Sequence, residues 1–258
     1  MENTFNILVT RNLSDAELNL AASLGLEVDI VPAIQIQFRD DWFVVESHFR
    51  TIDNPVLAFT SKNGVFAFRR FLGSGRSPVK KVPVYAVGDK TAEAFEGSGI
   101  EAIIPEQNDG TGLAKKITTD FLNDPELRDA TVLHFCGDKR RDEFRQYLID
   151  SKIDIRDVVV YKTVLLPMEI PKEQVDGILF YSPSAVQAYR NSGGFRTPVN
   201  AELFAIGNTT AEELSIESGK HVHISPEPDT RVFLRFTAQI LNEMKTSSNY
   251  VRSKLPKT

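Results

Sequence analysis

The stretch FAIGNTTAEEL, residues 204–214, decides the fold of this chain. An apolar run stops at a glycine, small polar residues follow, and a helix-forming segment comes next, which predicts a strand, a tight turn and a helix N-terminus. We expect Gly207 to take a backbone conformation closed to other residues, and Thr209 or Thr210 to cap the first helical turn. Free N–H groups in such a turn lie at the positive end of a helix dipole, so the turn suits an anion.

The same pattern occurs earlier in the chain, as VYAVGDKTAEAF at residues 84–95. Gly207 follows Gly88 by 119 residues, and Thr210 follows Thr91 by the same number. Either turn alone can be an ordinary strand-to-helix connection. Two copies at a constant spacing favour a ligand-binding role for both.

Two further pairs of segments repeat in the same order. FTSKNGV at 59–65 and FYSPSAV at 180–186 are 121 residues apart. A looser echo, at a spacing of about 127, relates residues 7–36 to residues 132–163. Three echoes in one order indicate an internal duplication, and a unit of this size is a domain and not a solenoid repeat.

Composition limits the class of protein. The chain has 258 residues, enough for two domains, with 41% apolar and 25% charged residues, as in a soluble globular protein. No apolar run is long enough for a membrane span, and residues 1–11 show no signal peptide, so no membrane partner is expected. The single cysteine, Cys136, excludes an intramolecular disulfide and favours the cytoplasm. A formal net charge of −5 argues against nucleic acid as a partner.

Strands alternate with helices along the whole chain, which predicts an α/β fold with parallel sheets and helices on both faces. In such sheets ligands bind beyond the C-terminal ends of the strands. Both glycine turns come at such ends, and so do the turns predicted at Ser61 and Ser182 in the repeated segments. The sequence therefore places its hydroxyl groups and free N–H groups on the ligand side of two sheets.

Other polar groups give weaker signals. His134 and Cys136 share one face of a strand, as do His221 and His223, but a metal site needs more convergent ligands than that. No Gly-x-Gly-x-x-Gly motif, Walker loop or nucleophile elbow is present. The basic residues after Lys245 are expected to form a frayed tail and not a nucleic-acid arm.

Two groups of basic residues leave their role open. Arg11 and the cluster Lys139, Arg140 and Arg141 follow predicted strands. They can hold an acidic group of a ligand or remain solvated charges. Tyr161 lies in a predicted strand, VVVYKT at 158–163, where an aromatic residue is also ordinary.

With these residues in view, the chain resembles the uroporphyrinogen-III synthase family over residues 6–240. Each matching segment is weak alone, but their order and spacing together are specific. The segments are LVTR at 8–11, FTSKNGV at 59–65, VGDKTA at 87–92, VYKT at 160–163, FYSPS at 180–184 and IGNTTA at 206–211.

The resemblance implies two flavodoxin-like domains with parallel sheets, joined by two extended connector strands, with a cleft between the domains. A plain tandem would divide the chain near residue 127. The family arrangement instead makes residues 1–37 and 166–258 one discontinuous domain and residues 38–165 the other. The connectors would then be residues 33–38 and 160–166.

This arrangement gives a prediction about strand pairing. The N-terminal strand at residues 6–10 should lie beside the strand at 175–181, in the same sheet. A pairing of residues 6–10 with the strand at 56–59 would contradict the crossed arrangement.

The resemblance also implies a reaction. The family closes the linear tetrapyrrole hydroxymethylbilane to uroporphyrinogen III, with inversion of ring D and loss of water, in tetrapyrrole (haem) biosynthesis. It uses no metal and no organic cofactor. The substrate carries eight carboxylates, for which hydroxyl groups and helix-start N–H groups are apt partners. Nothing in the sequence demands an oligomer, so a monomer is expected.

The resemblance and the predicted strand-to-helix turns together indicate the site residues. Tyr161 matches the family tyrosine and is the candidate catalytic residue, assisting departure of the hydroxyl group. The expected substrate-binding residues are Arg11, Ser61, Lys62, Asn63, Gly88, Thr91, Ser182, Ser184, Gly207, Thr209 and Thr210.

This chain departs from the family pattern at two positions. Asn12 stands where the family often has proline, and Cys136 where it often has arginine before a glycine. A cationic contact at position 136 is therefore in doubt, and Lys139 or Arg140 is the expected substitute.

Two other functions remain open from the residues. A two-domain protein can bind a tetrapyrrole or a small anion as a sensor, without catalysis. A sugar-phosphate or nucleotide enzyme can use the same sheets. The presence of Tyr161 and of both Gly-x-x-Thr-Ala turns favours the synthase.

Overall fold

The computed structural model describes residues 4–75, 82–140, 142–170, 175–196 and 200–254. The chain divides into two compact units, which we call unit 1 (Met1–Gln35 with Val164–Thr258) and unit 2 (Ile36–Thr163). Each unit contains one five-stranded sheet in an α/β arrangement.

The sheet of unit 1 is parallel, with strand order β10-β9-β8-β1-β2. In it β1 pairs with β8, Leu8 lying opposite Ile178, so the predicted pairing of the N-terminal strand is confirmed. The strands are β1 Phe5–Val9, β2 Leu26–Ile30, β8 Gly177–Phe180, β9 Glu202–Ala205 and β10 Val222–Ile224.

Helices cover both faces of this sheet, because alternate residues of its strands are apolar on both sides. Ile7 and Val9 pack with α1 and α9, whereas Leu8 packs with α7 and α8. Ser14 caps α1 with a capping box, its side chain accepting from the Glu17 N–H. The helices are α1 Asp15–Ser23, α7 Pro183–Asn191, α8 Asn208–Ser218 and α9 Thr230–Lys254.

The sheet of unit 2 has the strand order β3-β7-β6-β4-β5, with parallel pairing from β7 to β5. All five residues of β4 are buried, as expected for a central strand covered on both faces. The strands are β3 Ile34–Phe38, β4 Pro55–Phe59, β5 Val84–Ala86, β6 Thr131–Gly137 and β7 Ile155–Leu165.

The two faces of this sheet differ in their side chains. Phe59 and Phe135 stack at 5.0 Å in an aromatic core under α2 and α3. Val56 and Val132 pack on the opposite face under α5 and α6. The helices of unit 2 are α2 Trp42–Thr51, α3 Lys62–Gly73, α4 Asp89–Ala92, α5 Gly110–Asn123 and α6 Glu143–Asp150.

Two predicted elements differ in the structure. The strand expected at residues 100–104 is a single bridge between Tyr85 and Ile103, because only Ile103 meets the neighbouring strand and Pro105 follows directly. The tail expected to fray after Lys245 continues as helix α9 to Lys254, since no glycine or proline interrupts it. Within the described part of the chain, no helix has the length and apolar character that crossing a lipid bilayer requires.

Gly64 lets α3 approach β6 closely, and this gives a prediction. A Cβ atom at Gly64 would lie 2.5 Å from the backbone oxygen of Phe135, whereas one at Gly73 in the same helix would meet nothing within 4 Å. We expect Gly64→Ala to lower the free energy of unfolding by about 1–3 kcal/mol, as overpacked cores do. Gly73→Ala should be neutral or stabilise by up to about 1 kcal/mol.

The measurement is urea unfolding of both variants and the parent chain. The unfolding midpoints are compared after checking that the m-values are equal. Equal midpoints for Gly64→Ala and Gly73→Ala would contradict the close approach of α3 to β6.

Candidate functional site

A pocket of about 500 Å³ opens at the C-terminal ends of the strands of unit 2. This is the edge where parallel α/β sheets bind ligands. Its walls come from the residues after β4 and β5, from the start of α5, and from the region between β6 and α6, with one side chain from β7. The lining residues are Thr60, Ser61, Val87, Asn108, Asp109, Gly110, Thr111, Cys136, Gly137, Lys139, Arg140, Glu143, Phe144 and Tyr161.

Tyr161 reaches the pocket wall from β7 and is only 8% exposed. Its phenol oxygen lies 3.0 Å from the Ser61 Oγ, close enough for a hydrogen bond. Burial raises the pKa of the Tyr161 phenol above its usual value. The group is therefore a neutral O–H donor over the ordinary pH range.

Gly137 makes room for this phenol. The register between β6 and β7 shifts after Cys136, so that Gly137 lies opposite Tyr161. A Cβ atom at Gly137 would lie 2.4 Å from Cε2 of the tyrosine ring. The Tyr161 ring thus packs on bare backbone, at an irregularity of the kind often found next to active sites.

Ser61 connects the pocket to helix α3. It is the N-cap of that helix, with an extended backbone, and its Oγ accepts a hydrogen bond of 3.3 Å from the Gly64 N–H. The next two predicted binding residues, Lys62 and Asn63, are exposed and half-buried respectively, and neither lines the pocket.

A buried polar network lies behind the pocket. His134, on β6, is 1% exposed, and its Nε2 lies 2.8 Å from the Thr60 Oγ1. Its Nδ1 lies 2.9 Å from Oδ1 of Asp157 on β7. The other oxygen of Asp157 accepts from Arg140 at 2.8 Å and lies 3.1 Å from Nε of Arg145.

The charge state of Asp157 follows from these partners. Burial alone would raise the pKa of its carboxyl, but the hydrogen bond from His134 and the charges of His134, Arg140 and Arg145 lower that pKa overall. Asp157 is therefore a carboxylate that only accepts hydrogen bonds.

His134, Cys136 and Asp157 also form a possible metal-binding group, because one ligand atom of each lies within 4.8 Å of the others. Their chemistry does not fit a cation. Both nitrogens of His134 already have hydrogen-bond partners, and two guanidinium groups face Asp157. Burial raises the pKa of the Cys136 thiol to about 12, so the thiolate that a metal prefers is disfavoured.

The predicted basic cluster after β6 lies partly in this site. Lys139 and Arg140 both line the pocket. Arg140 is held by Asp157, as described above. Arg141 lies outside the described residues.

The first glycine turn lies in unit 2, after β5. Gly88 precedes the short helix α4 with an extended backbone, and a Cβ atom there would lie 2.8 Å from the Asn108 side chain. The requirement for glycine at this position is therefore one of space and not of backbone angle. Thr91 is 7% exposed and does not line the pocket.

In unit 1 the predicted site residues follow strands of one sheet. Arg11, after β1, pairs with Glu17 at 2.7 Å, and its guanidinium lies 4.7 Å from the centre of the Tyr181 ring. Ser182, after β8, caps α7 by accepting from the Ala185 N–H at 3.2 Å. Ser184 is half-buried in the first turn of that helix.

Two predictions about the second glycine turn are wrong. Gly207 is itself the N-cap of α8, with φ −178° and ψ 174°, an extended conformation open to any residue. Neither Thr209 nor Thr210 caps the helix, because α8 begins at Asn208 and both threonines already lie inside it. Thr210 is 4% exposed and offers little area to a ligand, whereas Thr209 is exposed.

Of the predicted site residues, the structure thus gathers Ser61 and Tyr161 at one pocket. Thr60, His134 and Asp157 were not predicted as site residues. The one available signal was the position of Thr60 directly after a strand and before the predicted Ser61. His134 and Asp157 meet only because β6 and β7 are neighbours in the sheet.

The fit of Tyr161 against Gly137 leads to a prediction. In Gly137→Ala the new methyl group occupies the space of the Tyr161 ring, so the phenol must move, and we expect a loss of about 1–3 kcal/mol in unfolding free energy. Gly207→Ala is the matched control, because its backbone is extended and a Cβ atom meets nothing within 4 Å. Thermal unfolding of both variants tests this, and a Gly137→Ala variant as stable as Gly207→Ala would contradict the packing described.

Comparisons with known proteins identify a family for most of the chain. The family model described as uroporphyrinogen-III synthase HemD matches residues 16–234, most of the chain. Among curated proteins none matches the chain.

Several solved structures share its fold. A uroporphyrinogen-III synthetase from Helicobacter pylori is 20% identical, with a TM-score of 0.65 over 92% of this chain and 100% of that one. A mutant uroporphyrinogen III synthase from Thermus thermophilus is 15% identical, with a TM-score of 0.61 over 93% of this chain and 100% of that one. On the evidence of the family model, the chain belongs to the uroporphyrinogen-III synthase family.

Proposed function

We propose that this chain converts hydroxymethylbilane to uroporphyrinogen III, and that the unit 2 pocket receives the end of the substrate that loses its hydroxyl group. The observation that carries this assignment is the buried, neutral Tyr161 phenol at the wall of the pocket, hydrogen-bonded to Ser61. The family match supports the reaction itself.

The chemistry needs a proton donor at one point. The hydroxyl group of the substrate leaves as water only if it gains a proton, and the bond that breaks joins that oxygen to the methylene carbon. Tyr161 donates the proton, and a general acid in this position contributes about 10²–10⁴ in rate. The resulting azafulvene cation bonds to the α carbon of ring D that already carries a methylene bridge. The bond from ring D to that bridge then breaks, and the bridge re-forms at the free α carbon, which releases a proton; ring D is thereby inverted and no net proton is consumed.

The rest of the catalytic task is positioning. The cation is reactive, so the protein must hold the chain in the fold that gives the inverted ring. A rigid donor helps, and the Tyr161 ring is confined by Gly137 on one side and Ser61 at its hydroxyl.

The substrate carboxylates are proposed to bind through many modest contacts. A hydrogen bond to a charged group contributes roughly 1.5–3 kcal/mol, so eight carboxylates can spread their binding widely. Lys139 and Arg140 offer cationic groups at the pocket, which supports their role as substitutes for the arginine missing at position 136. Thr91 and Thr210 are buried, so they are proposed to contribute by stabilising the turns that carry the N–H groups. The proposed contacts outside the pocket remain Arg11, Lys62, Asn63, Gly88, Thr91, Ser182, Ser184, Gly207, Thr209 and Thr210.

We also propose the family architecture, with flavodoxin-like domains at residues 1–37 with 166–258 and at 38–165. The division between units 1 and 2 supports these bounds, and the order β2-β1-β8-β9-β10 supports the flavodoxin-like assignment of unit 1. The adjacent strands β3 and β7 support the two connectors. A cytoplasmic monomer without nucleic-acid or membrane partners fits the single cysteine and the acidic composition. No observation favours a sensor without catalysis.

The role of Tyr161 is tested by removing its hydroxyl group. We expect Tyr161→Phe to lower kcat by about 10²–10⁴, with little change in product affinity. Tyr85→Phe is the matched control, because it also removes a buried hydroxyl group of unit 2, one bonded to Asp120 at 2.8 Å, and Tyr85 does not line the pocket. The measurement is the initial rate of uroporphyrinogen III formation, and an undiminished kcat in Tyr161→Phe would exclude the phenol from the mechanism.

The raised pKa of Tyr161 predicts the alkaline side of the pH profile. A raised pKa means that the phenol keeps its proton to a higher pH than a free tyrosine, whose pKa is about 10. Loss of this donor should therefore not lower kcat below about pH 10. The assignment would be contradicted if kcat of the parent enzyme decreased with a midpoint below about pH 9 and the residual activity of Tyr161→Phe showed no such decrease.

A further inference from the structure

We propose that Asp157 and His134 are positioning residues that act through Thr60 to hold the Ser61 and Tyr161 hydroxyl groups in their working orientation. The proposal rests on the proposed function, since it assigns roles within the same site. Neither residue lines the pocket, so neither is proposed to touch the substrate.

The first step fixes the imidazole. The Asp157 carboxylate can only accept, so the hydrogen bond of 2.9 Å at Nδ1 places a proton on that nitrogen. The other ring nitrogen, Nε2, lies 2.8 Å from the Thr60 Oγ1, and this hydrogen bond holds the threonine side chain. Phe144 packs edge-on against the imidazole, with ring centres 4.9 Å apart, and holds its plane.

The second step links the two faces of the sheet through the adjacent residues Thr60 and Ser61. Successive residues of an extended chain point to opposite faces. Thr60 reaches His134 on the face covered by α5 and α6, and Ser61 reaches Tyr161, which packs in the cluster under α2 and α3. Fixing the Thr60 side chain therefore fixes the orientation of the peptide unit that carries Ser61.

The third step sets the direction of the phenolic proton. The Ser61 Oγ already accepts from the Gly64 N–H at 3.3 Å. Its own proton is then free to be donated to the Tyr161 oxygen, 3.0 Å away. With its oxygen serving as acceptor, Tyr161 is left to direct its O–H into the pocket, toward the departing hydroxyl group.

A matched pair of substitutions at Thr60 tests this chain of contacts. Thr60→Val keeps the shape of the side chain and removes the hydroxyl group, whereas Thr60→Ser keeps the hydroxyl group. We expect Thr60→Val to lower kcat about tenfold with KM changed less than about twofold, and Thr60→Ser to restore most of the loss. Thr131→Val is the control, because it removes a hydroxyl group bonded to Asp154 at the other end of β6.

A double-mutant cycle separates positioning from independent action. If Thr60 acts through Tyr161, adding Thr60→Val to Tyr161→Phe should cause no further loss. Asp157→Asn breaks the network at its other end and should lower kcat only when Tyr161 is present, whereas release of Arg140, a proposed substrate contact that Asp157 holds, should change KM in both backgrounds. Thermal unfolding of each variant confirms that the protein is folded before rates are compared.

Several results would overturn the inference. A raised KM with unchanged kcat in Thr60→Val would show direct substrate contact, and additive losses with Tyr161→Phe would show independent action. A Thr60→Ser variant as impaired as Thr60→Val would exclude the hydroxyl group. Failure of the parent enzyme to form uroporphyrinogen III would instead remove the proposed function, so the two failures are distinguishable.

Discussion

The packing of the Tyr161 ring on the bare backbone of Gly137 is the contact on which the site depends. A register shift between β6 and β7 brings these residues opposite each other, and any side chain at position 137 would take the space of the ring. The phenol is thereby buried and kept neutral, with its oxygen 3.0 Å from the Ser61 Oγ. The proposed donor is thus positioned by the sheet itself and not by a flexible loop.

The two faces of the unit 2 sheet contribute differently to this arrangement. The face under α2 and α3 is an apolar aromatic core that includes Phe59 and Phe135, whereas the other face carries the His134–Asp157 pair. A carboxylate and an imidazole withdrawn from water are costly unless their hydrogen bonds are complete. Here both carboxylate oxygens and both imidazole nitrogens have partners, so the network can specify one arrangement of the residues at the pocket.

The sequence predicts the parts of this structure that are local or periodic. Alternating strands and helices indicate parallel sheets, and the duplicated turns place Ser61 at a strand end. The network of Thr60, His134 and Asp157 depends on which strands are neighbours, which no local pattern contains. The backbone conformation of Gly207 differs from the prediction because an extended and a left-handed glycine look alike in a sequence. Thr91 and Thr210 face the protein interior because helical position, and not residue type, decides their exposure.

Analysis of the isomers formed from hydroxymethylbilane tests the central claim most directly. Spontaneous closure gives uroporphyrinogen I, so isomer III reports enzymatic control of ring inversion. We predict that the purified chain forms isomer III, without added metal or cofactor. Formation of isomer I alone, at the rate seen without protein, would contradict the proposed function.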